Sequence, residues 1–539
     1  MNIKKLVTKG FVYSILGLLI VACQNNKRDI AMPETDLLKE HLIPMPTKMT
    51  ATHSGFALDQ FTTIQVSPED TELIDIGKFL ADKIQDKTGL LVSLNELDDK
   101  KSEGTIFIAK KQDGDWPNDE AYLLYIAKDS IVINAPTADG AFRGIQTLRQ
   151  LIPEVSNDTL AAESIWPIPT GTITDAPNFE YRGSMLDVAR HFFSVEDVKK
   201  YIDLLAYYKI NVLHLHLTDD QGWRIEIKSW PKLTEIGGST EVGGGEGGFF
   251  TQEDYKDIVA YAAKHYMTII PEIDMPGHTN AASVSYPILN GNGKTPELYQ
   301  GTKVGFSTFD TRKDTVYSFI DDVVRELSEI TPGPYFHIGG DESHVTKKPD
   351  YIYFVNKVEK IVQKYGKRMI GWDEVANADL DSTSIAQFWA DKSNTKVAAE
   401  KGMKIILSPA SKAYLDMEYD TLSEYGLHWA GYIPVDTAYI WSPERYIENI
   451  PKELILGVEA PLWSETISNI EELEYLAFPR MIGYSELSWS IEENRDWESF
   501  KVRLANQTPY LDRMNVKYYP SPLIDWKKTN LKFKEIDKD

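Results

Sequence analysis

Tyr335-Phe336-His337-Ile338-Gly339-Gly340-Asp341-Glu342 joins a short apolar run to two adjacent carboxylates. Aromatic and β-branched residues mark 335–338 as a buried strand, and the glycine pair breaks it. Two like charges are thus delivered side by side where a strand gives way to a loop. In a partly dry place such charges raise each other's pKa, which costs stability and suits acid chemistry.

Working outward, a strand-then-helix pattern repeats on both sides. Strands are expected over 183–188, 211–217, 267–273, 335–338, 368–372, 384–389, 403–407 and 454–458, with helical segments between several of them. Ser194 and Thr251, each with an aspartate three residues on, read as helix N-caps. Eight strands over roughly 300 residues predict an α/β fold of the (β/α)8 barrel type, a TIM barrel. A doubly wound open sheet is the alternative.

A barrel collects its chemistry just beyond the strand C-termini. Unusual polar and aromatic residues stand there: Arg190-His191, Asp219-Asp220, then Glu272, Asp274 and His278, then Asp341-Glu342. Trp372, Asp373 and Glu374 end the fifth strand, and Trp389 ends the sixth. Tyr414 with Asp416, and Trp463 with Glu465, lie beyond the last two.

Before the barrel, residues 36–178 mix strands and helices and predict a smaller α/β domain. Helices are expected over 72–84 and 139–152, and strands over 61–66, 90–94, 105–109, 121–126 and 130–135. The proline-rich stretch from Trp166 to Pro177 reads as the linker to a catalytic region spanning 179–539.

The chain has 539 residues, a net charge of -24 and one cysteine. That charge repels nucleic acid and polyanionic glycans. Lys4, Lys5 and Lys9 precede an apolar stretch ending at Ala22-Cys23. It is short for a membrane span and has the form of an export signal over 1–22. Ile20-Val21-Ala22-Cys23 resembles a bacterial lipobox. Cys23 is then a lipid anchor, residues 23–35 a tether, and the location an exported face of a bacterial membrane, the outer one. No cysteine follows position 23, so the mature chain has no internal disulfide.

Aromatic walls plus Asp, Glu and Arg suit a neutral sugar. Glycoside hydrolysis usually sets two carboxylates on opposite sides of the scissile bond. Sequence neighbours cannot easily straddle one sugar. With Glu342 as the acid, the nucleophile comes from elsewhere, including the substrate itself.

Six segments carry a resemblance: 181–192 (YRGSMLDVARHF), 211–224 (NVLHLHLTDDQGWR), 269–278 (IIPEIDMPGH), 336–342 (FHIGGDE), 371–374 (GWDE) and Trp463-Ser464-Glu465. Together they resemble the family 20 glycoside hydrolases, the β-N-acetylhexosaminidases. The resemblance implies exo-acting, retaining removal of terminal β-linked N-acetylglucosamine or N-acetylgalactosamine, with no cofactor and no metal. It implies that Glu342 is the general acid/base and that Asp341 orients the substrate's 2-acetamido group, whose carbonyl oxygen attacks the anomeric carbon to give an oxazolinium-type intermediate. By the same likeness, Asp219 and His278 support the acid and Arg190 grips ring hydroxyls. Trp372, Trp389 and Trp463 enclose the acetamide, and Tyr414 hydrogen-bonds it. Asp416 and Glu465 hold outer hydroxyls, as two anions disfavouring sulfated sugars, and Trp429 is a platform for the next sugar.

Two rivals stand beside this reading. His214 and His216 alternate on one strand, so both side chains reach one face and could hold a metal, as in an amidohydrolase-type enzyme. A non-catalytic sugar-binding lipoprotein would keep the tryptophans. The glycine-rich stretch 237–249 reads as either a mobile loop by the cleft or a long connection.

Overall fold

Tyr181–Asp187 (β8), Val212–His216 (β9) and Ile455–Leu462 (β15) are buried along their whole length. Only a strand covered on both faces behaves in this way, which is the mark of a parallel sheet inside a helical layer. The computed structural model describes residues 32–96, 103–154, 164–291 and 294–528. The export segment, Cys23 and most of the tether lie outside the described residues. No helix among the described residues is long and apolar enough to cross a membrane.

Between β9 and β15 run Thr268–Glu272 (β10), Tyr335–His337 (β11), Arg368–Trp372 (β12), Ile385–Phe388 (β13) and Lys404–Leu407 (β14). With β8 they close a parallel barrel in the order β10-β11-β12-β13-β14-β15-β8-β9. All eight expected strands are present, and the open-sheet alternative is excluded by closure. Ser194 and Thr251 both form capping boxes with Asp197 and Asp254.

Strand alternation explains the barrel interior. Tyr181, Val212, Ile270, Tyr335, Ile370, Ile385, Ile406 and Leu456, one from each strand, pack as a single apolar layer. Two residues further along most strands, the same inward face turns polar or aromatic: His214, Glu272, His337, Trp372 and Gln387. The sequence thus builds a dry floor first and a charged layer directly above it.

The preceding domain is a seven-stranded sheet of Lys48–Leu58 (β1), Thr63–Val66 (β2), Ser93–Glu96 (β3), Thr105–Lys110 (β4), Tyr122–Ile126 (β5), Ser130–Ala135 (β6) and Trp166–Asp175 (β7). In space the strands run β1-β7-β5-β6-β4-β2-β3. Helices Thr71–Thr88 and Ala138–Leu151 pack on it. The proline-rich stretch is not a linker. It is β7, antiparallel to both β1 and β5. Pro167 and Pro169 pair only toward β1, where the register slips between Ala51 and Gly55, and β7 meets β5 farther on, from Gly171 to Asp175.

Buried charges fasten this domain to the barrel. Asp175 accepts from Trp489 Nε1 at 3.0 Å, Lys209 Nζ at 3.1 Å and Tyr122 OH at 2.6 Å. Glu120 receives Arg182 Nη1 at 2.9 Å and Arg143 Nε at 2.8 Å. Burial alone would raise the Glu120 carboxyl, but the two guanidinium groups outweigh it and hold it down to about 2.

Candidate active site

The turn after β11 is shaped by a close approach. Gly339 and Gly340 have φ of 64° and 97°. A Cβ on Gly339 would sit 1.9 Å from Asp274 Oδ1, so only glycine fits. Gly340 N donates to that same oxygen at 3.1 Å. Glu342 itself sits at φ 43° and His278 at φ 53°, in the left-handed region that bulky residues avoid. Such conformations persist where surrounding structure holds them, and they cluster at functional sites.

Behind the carboxylate pair runs a chain of buried groups. His278 Nδ1 is 3.1 Å from Asp219 Oδ1, and His278 Nε2 is 3.7 Å from both Asp341 Oδ2 and Glu342 Oε2. Asp219 Oδ2 also meets Arg190 Nη2 at 2.7 Å and His216 Nε2 at 3.0 Å. Burial would raise the Asp219 carboxyl, yet Arg190, His278 and His216 hold it well below the usual carboxylate range. His278 shows the reverse balance: burial pulls it down, but Asp219, Asp274 and Asp341 push it well above an ordinary histidine. Burial and the neighbouring Asp341 raise Glu342, opposed by His278, Arg190 and His344.

In front of the pair lies a cavity of about 400 Å³, lined by Arg190, Asp341, Glu342, Trp389, Tyr414, Asp416, Trp429, Trp463 and Glu465, and also by Thr302, Val304, Leu427 and Thr466. Trp372, Asp219 and His278 stand behind this lining; Trp372 packs on Trp463 with ring centroids 5.7 Å apart. Trp463 also takes the Arg190 guanidinium over its face at 4.9 Å. Trp389 is held by its Nε1 donating to Glu374 Oε2 at 3.1 Å. Trp429 is 59% exposed, a ring at the open side of this lining.

Asp416 and Glu465 do not stand on an exposed rim. Asp416 is buried, and its burial and the charge of Glu465 push it well above the ordinary value. Burial raises Glu465 too, with Arg190 opposing. Both side chains line the cavity, with the Asp416 carboxylate fully enclosed in its wall.

Sequence reasoning also missed supports. Asp187 Oδ1 accepts from Ala189 N and Arg190 N at 2.8 and 3.1 Å, and Oδ2 from Ser464 N at 3.0 Å, tying the β8 and β15 ends together. An acidic residue as the last of a barrel strand was the available signal. Thr302 and Val304 come from an irregular segment between β10 and β11, where no periodicity points to a site.

The stretch 237–249 is a pinned connection. The buried Arg224 guanidinium donates to the carbonyls of Ala189, Gly238, Thr240 and Gly248 at 2.6 to 3.2 Å. Burial pushes this guanidinium down to about 10. As for His214 and His216, both do face inward, but Glu272 Oε2 lies between them, 3.0 Å from His214 Nε2 and 2.6 Å from His216 Nδ1. The far nitrogen of His214 meets Glu459 Oε1 at 3.0 Å. They are charge-paired core histidines.

Known proteins place this geometry. The sequence model "Glycosyl hydrolase family 20, catalytic domain" matches residues 179–492, and "Glycosyl hydrolase family 20, domain 2" matches 39–176. The chain belongs to glycosyl hydrolase family 20. A β-N-acetylhexosaminidase of Cellulomonas fimi is 37% identical over 90% of this chain and 97% of its own length. A β-hexosaminidase of Porphyromonas gingivalis is 37% identical over 96% of this chain and 68% of its own. The structure of the family 20 β-N-acetylhexosaminidase of Streptomyces coelicolor superposes with a TM-score of 0.86 at 44% identity, covering 90% of this chain and 99% of that one. This family 20 chain is accordingly an enzyme of the β-N-acetylhexosaminidase type, a glycoside hydrolase. The non-catalytic and metal-hydrolase readings fall away.

Proposed function

We propose that this enzyme removes terminal, non-reducing β-linked N-acetylhexosamine with retention, using the substrate's own acetamide as nucleophile. One observation carries the reading: Asp341 and Glu342 present to one cavity and share a single imidazole behind them, 3.7 Å from each. Glu342, raised by burial and by Asp341, is suited to protonate the leaving oxygen and then to activate water. Asp341 is then the anion beside the acetamide N–H as positive charge grows there. Its Oδ1 is buried without a hydrogen-bond partner, which supports a role toward bound substrate. Trp389 and Trp463 wall the acetamide, with Trp372 packed behind Trp463, and Tyr414 hydrogen-bonds it. Asp416 and Glu465 offer buried, unpartnered oxygens to the outer hydroxyls of a terminal sugar, and Arg190 lies beside them. Trp429 supports the next sugar.

The test is hydrolysis of 4-nitrophenyl N-acetyl-β-D-glucosaminide and galactosaminide against the matching β-D-glucoside, which lacks the acetamide. Turnover of the first pair and none of the glucoside is expected. Equal rates on all three would overturn the reading.

We further infer lipidation at Cys23 and membrane anchoring, from the sequence Ile20-Val21-Ala22-Cys23 alone. Labelled palmitate should enter the expressed protein and be lost in Cys23→Ser; label retained in that variant contradicts it.

A further inference from the structure

Glu272, the last residue of β10, touches neither the cavity nor the pair at its wall, yet two lines of contact leave it toward opposite functions. Its side chain is fully buried. Through Oε1 it accepts from Trp372 Nε1 at 3.0 Å. Through Oε2 it meets His216 Nδ1 at 2.6 Å, and His216 Nε2 meets Asp219 Oδ2 at 3.0 Å. Asp219 in turn holds His278, which stands 3.7 Å from Glu342 Oε2.

We propose that Glu272 is a positioning residue with two arms, fixing the Trp372 indole on the acetamide side and, through His216 and Asp219, the imidazole that supports the acid. The proposal rests on the function proposed above and names the group that keeps both halves in register.

Its physical basis is acceptor geometry. Both nitrogens of His216 face carboxylate oxygens, an arrangement that favours a proton on each and hence an imidazolium between them. Burial pulls its pKa down, but Glu272 and Asp219 raise it well above an ordinary histidine, with Asp187 adding to them. A neutral group at 272 would free that proton and leave Asp219 with one cation fewer. The Trp372 indole would meanwhile lose a charged acceptor in a dry place, worth more than a neutral one. Other groups face this centre: His214 Nε2 at 3.0 Å and His337 Nδ1 at 3.1 Å from Glu272, Glu459 beyond His214, and the Trp463 ring 5.0 Å from that of His216. Asp274, Arg190, Asp341 and His344 complete the charges near the acid and His278.

Glu272→Gln, His216→Gln and Trp372→Phe test it. A disaccharide with a poor leaving group needs the acid; a 2,4-dinitrophenyl N-acetyl-β-glucosaminide hardly does. His216→Gln should lower kcat on the disaccharide by roughly 10²-fold and barely affect the dinitrophenyl substrate. Trp372→Phe should lose comparable factors on both. Glu272→Gln should lose the product of the two factors, with Glu272→Asp recovering part of it. Histidine NMR on the intact protein reads the first link without turnover: His216 stays protonated past neutral pH in the wild type and titrates lower in Glu272→Gln. An unmoved His216 titration, or equal losses on both substrates in His216→Gln, overturns the proposal. If the Glu272→Gln variant does not fold, the other two variants still decide it. Wild-type inactivity toward all N-acetylhexosaminides would instead sink the function while leaving the His216 titration to judge Glu272.

Discussion

Asp219 holds His278 from behind: Oδ1 and Nδ1 lie 3.1 Å apart, and both side chains are buried. Burial pulls the imidazole's pKa down, but Asp219, with Asp274 and Asp341, pushes it well above an ordinary histidine, and its Nε2 faces Asp341 and Glu342. Asp219→Asn removes that hold. His278 should then lose its proton nearer neutral pH, and kcat/KM should fall as pH rises through that lower value. A loss of about 10²-fold at pH 7 is expected. A pH profile of the variant on a disaccharide checks it, and one parallel to the wild type would contradict it.

Glu342→Gln keeps the shape and removes the proton. Rates on a disaccharide should fall by roughly 10² to 10⁴-fold, and far less on a dinitrophenyl glycoside. A Brønsted plot against leaving-group pKa should steepen in the variant. An unchanged slope would assign the acid elsewhere.

The working form of Glu342 is protonated in the free enzyme. Burial and Asp341 raise its pKa, so the acid form persists to higher pH than an ordinary glutamate allows, and activity fades as pH rises through the raised value. The alkaline limb of kcat/KM should therefore lie above the usual carboxylate range. Removing the Asp341 charge in Asp341→Asn should move that limb down. A limb that stayed in place would deny the coupling.

Arg224 concerns stability. Arg224→Met would leave several buried carbonyls without donors, at about 1–3 kcal/mol each. Thermal melting should show a drop of several degrees, and limited proteolysis should open within 237–249. Unchanged melting and protection would show that the connection holds itself.

The barrel was legible because its strands carry a parallel sheet's apolar runs, followed by charged residues such as Asp341 that no core requires. Capping aspartates at 197 and 254 made two helix starts legible as well. The strand at Trp166–Asp175 was not, because prolines argue against pairing; they are tolerated beside an irregular register with β1. Burial was equally invisible: nothing in the spelling of Asp416 says that its carboxylate is fully enclosed. Glu272 was seen at a strand end but not as a hub, since its partners come from β9, β11 and β12 and meet only after closure.

Participation of the acetamide is the central claim, and its carbonyl nucleophilicity can be tuned. The direct measurement is kcat/KM for 4-nitrophenyl glycosides bearing N-acetyl, N-fluoroacetyl, N-difluoroacetyl and N-trifluoroacetyl groups. Each fluorine withdraws electrons from the attacking oxygen with little change in size. The account predicts a steep, monotonic fall across the series, and a flat series would contradict it.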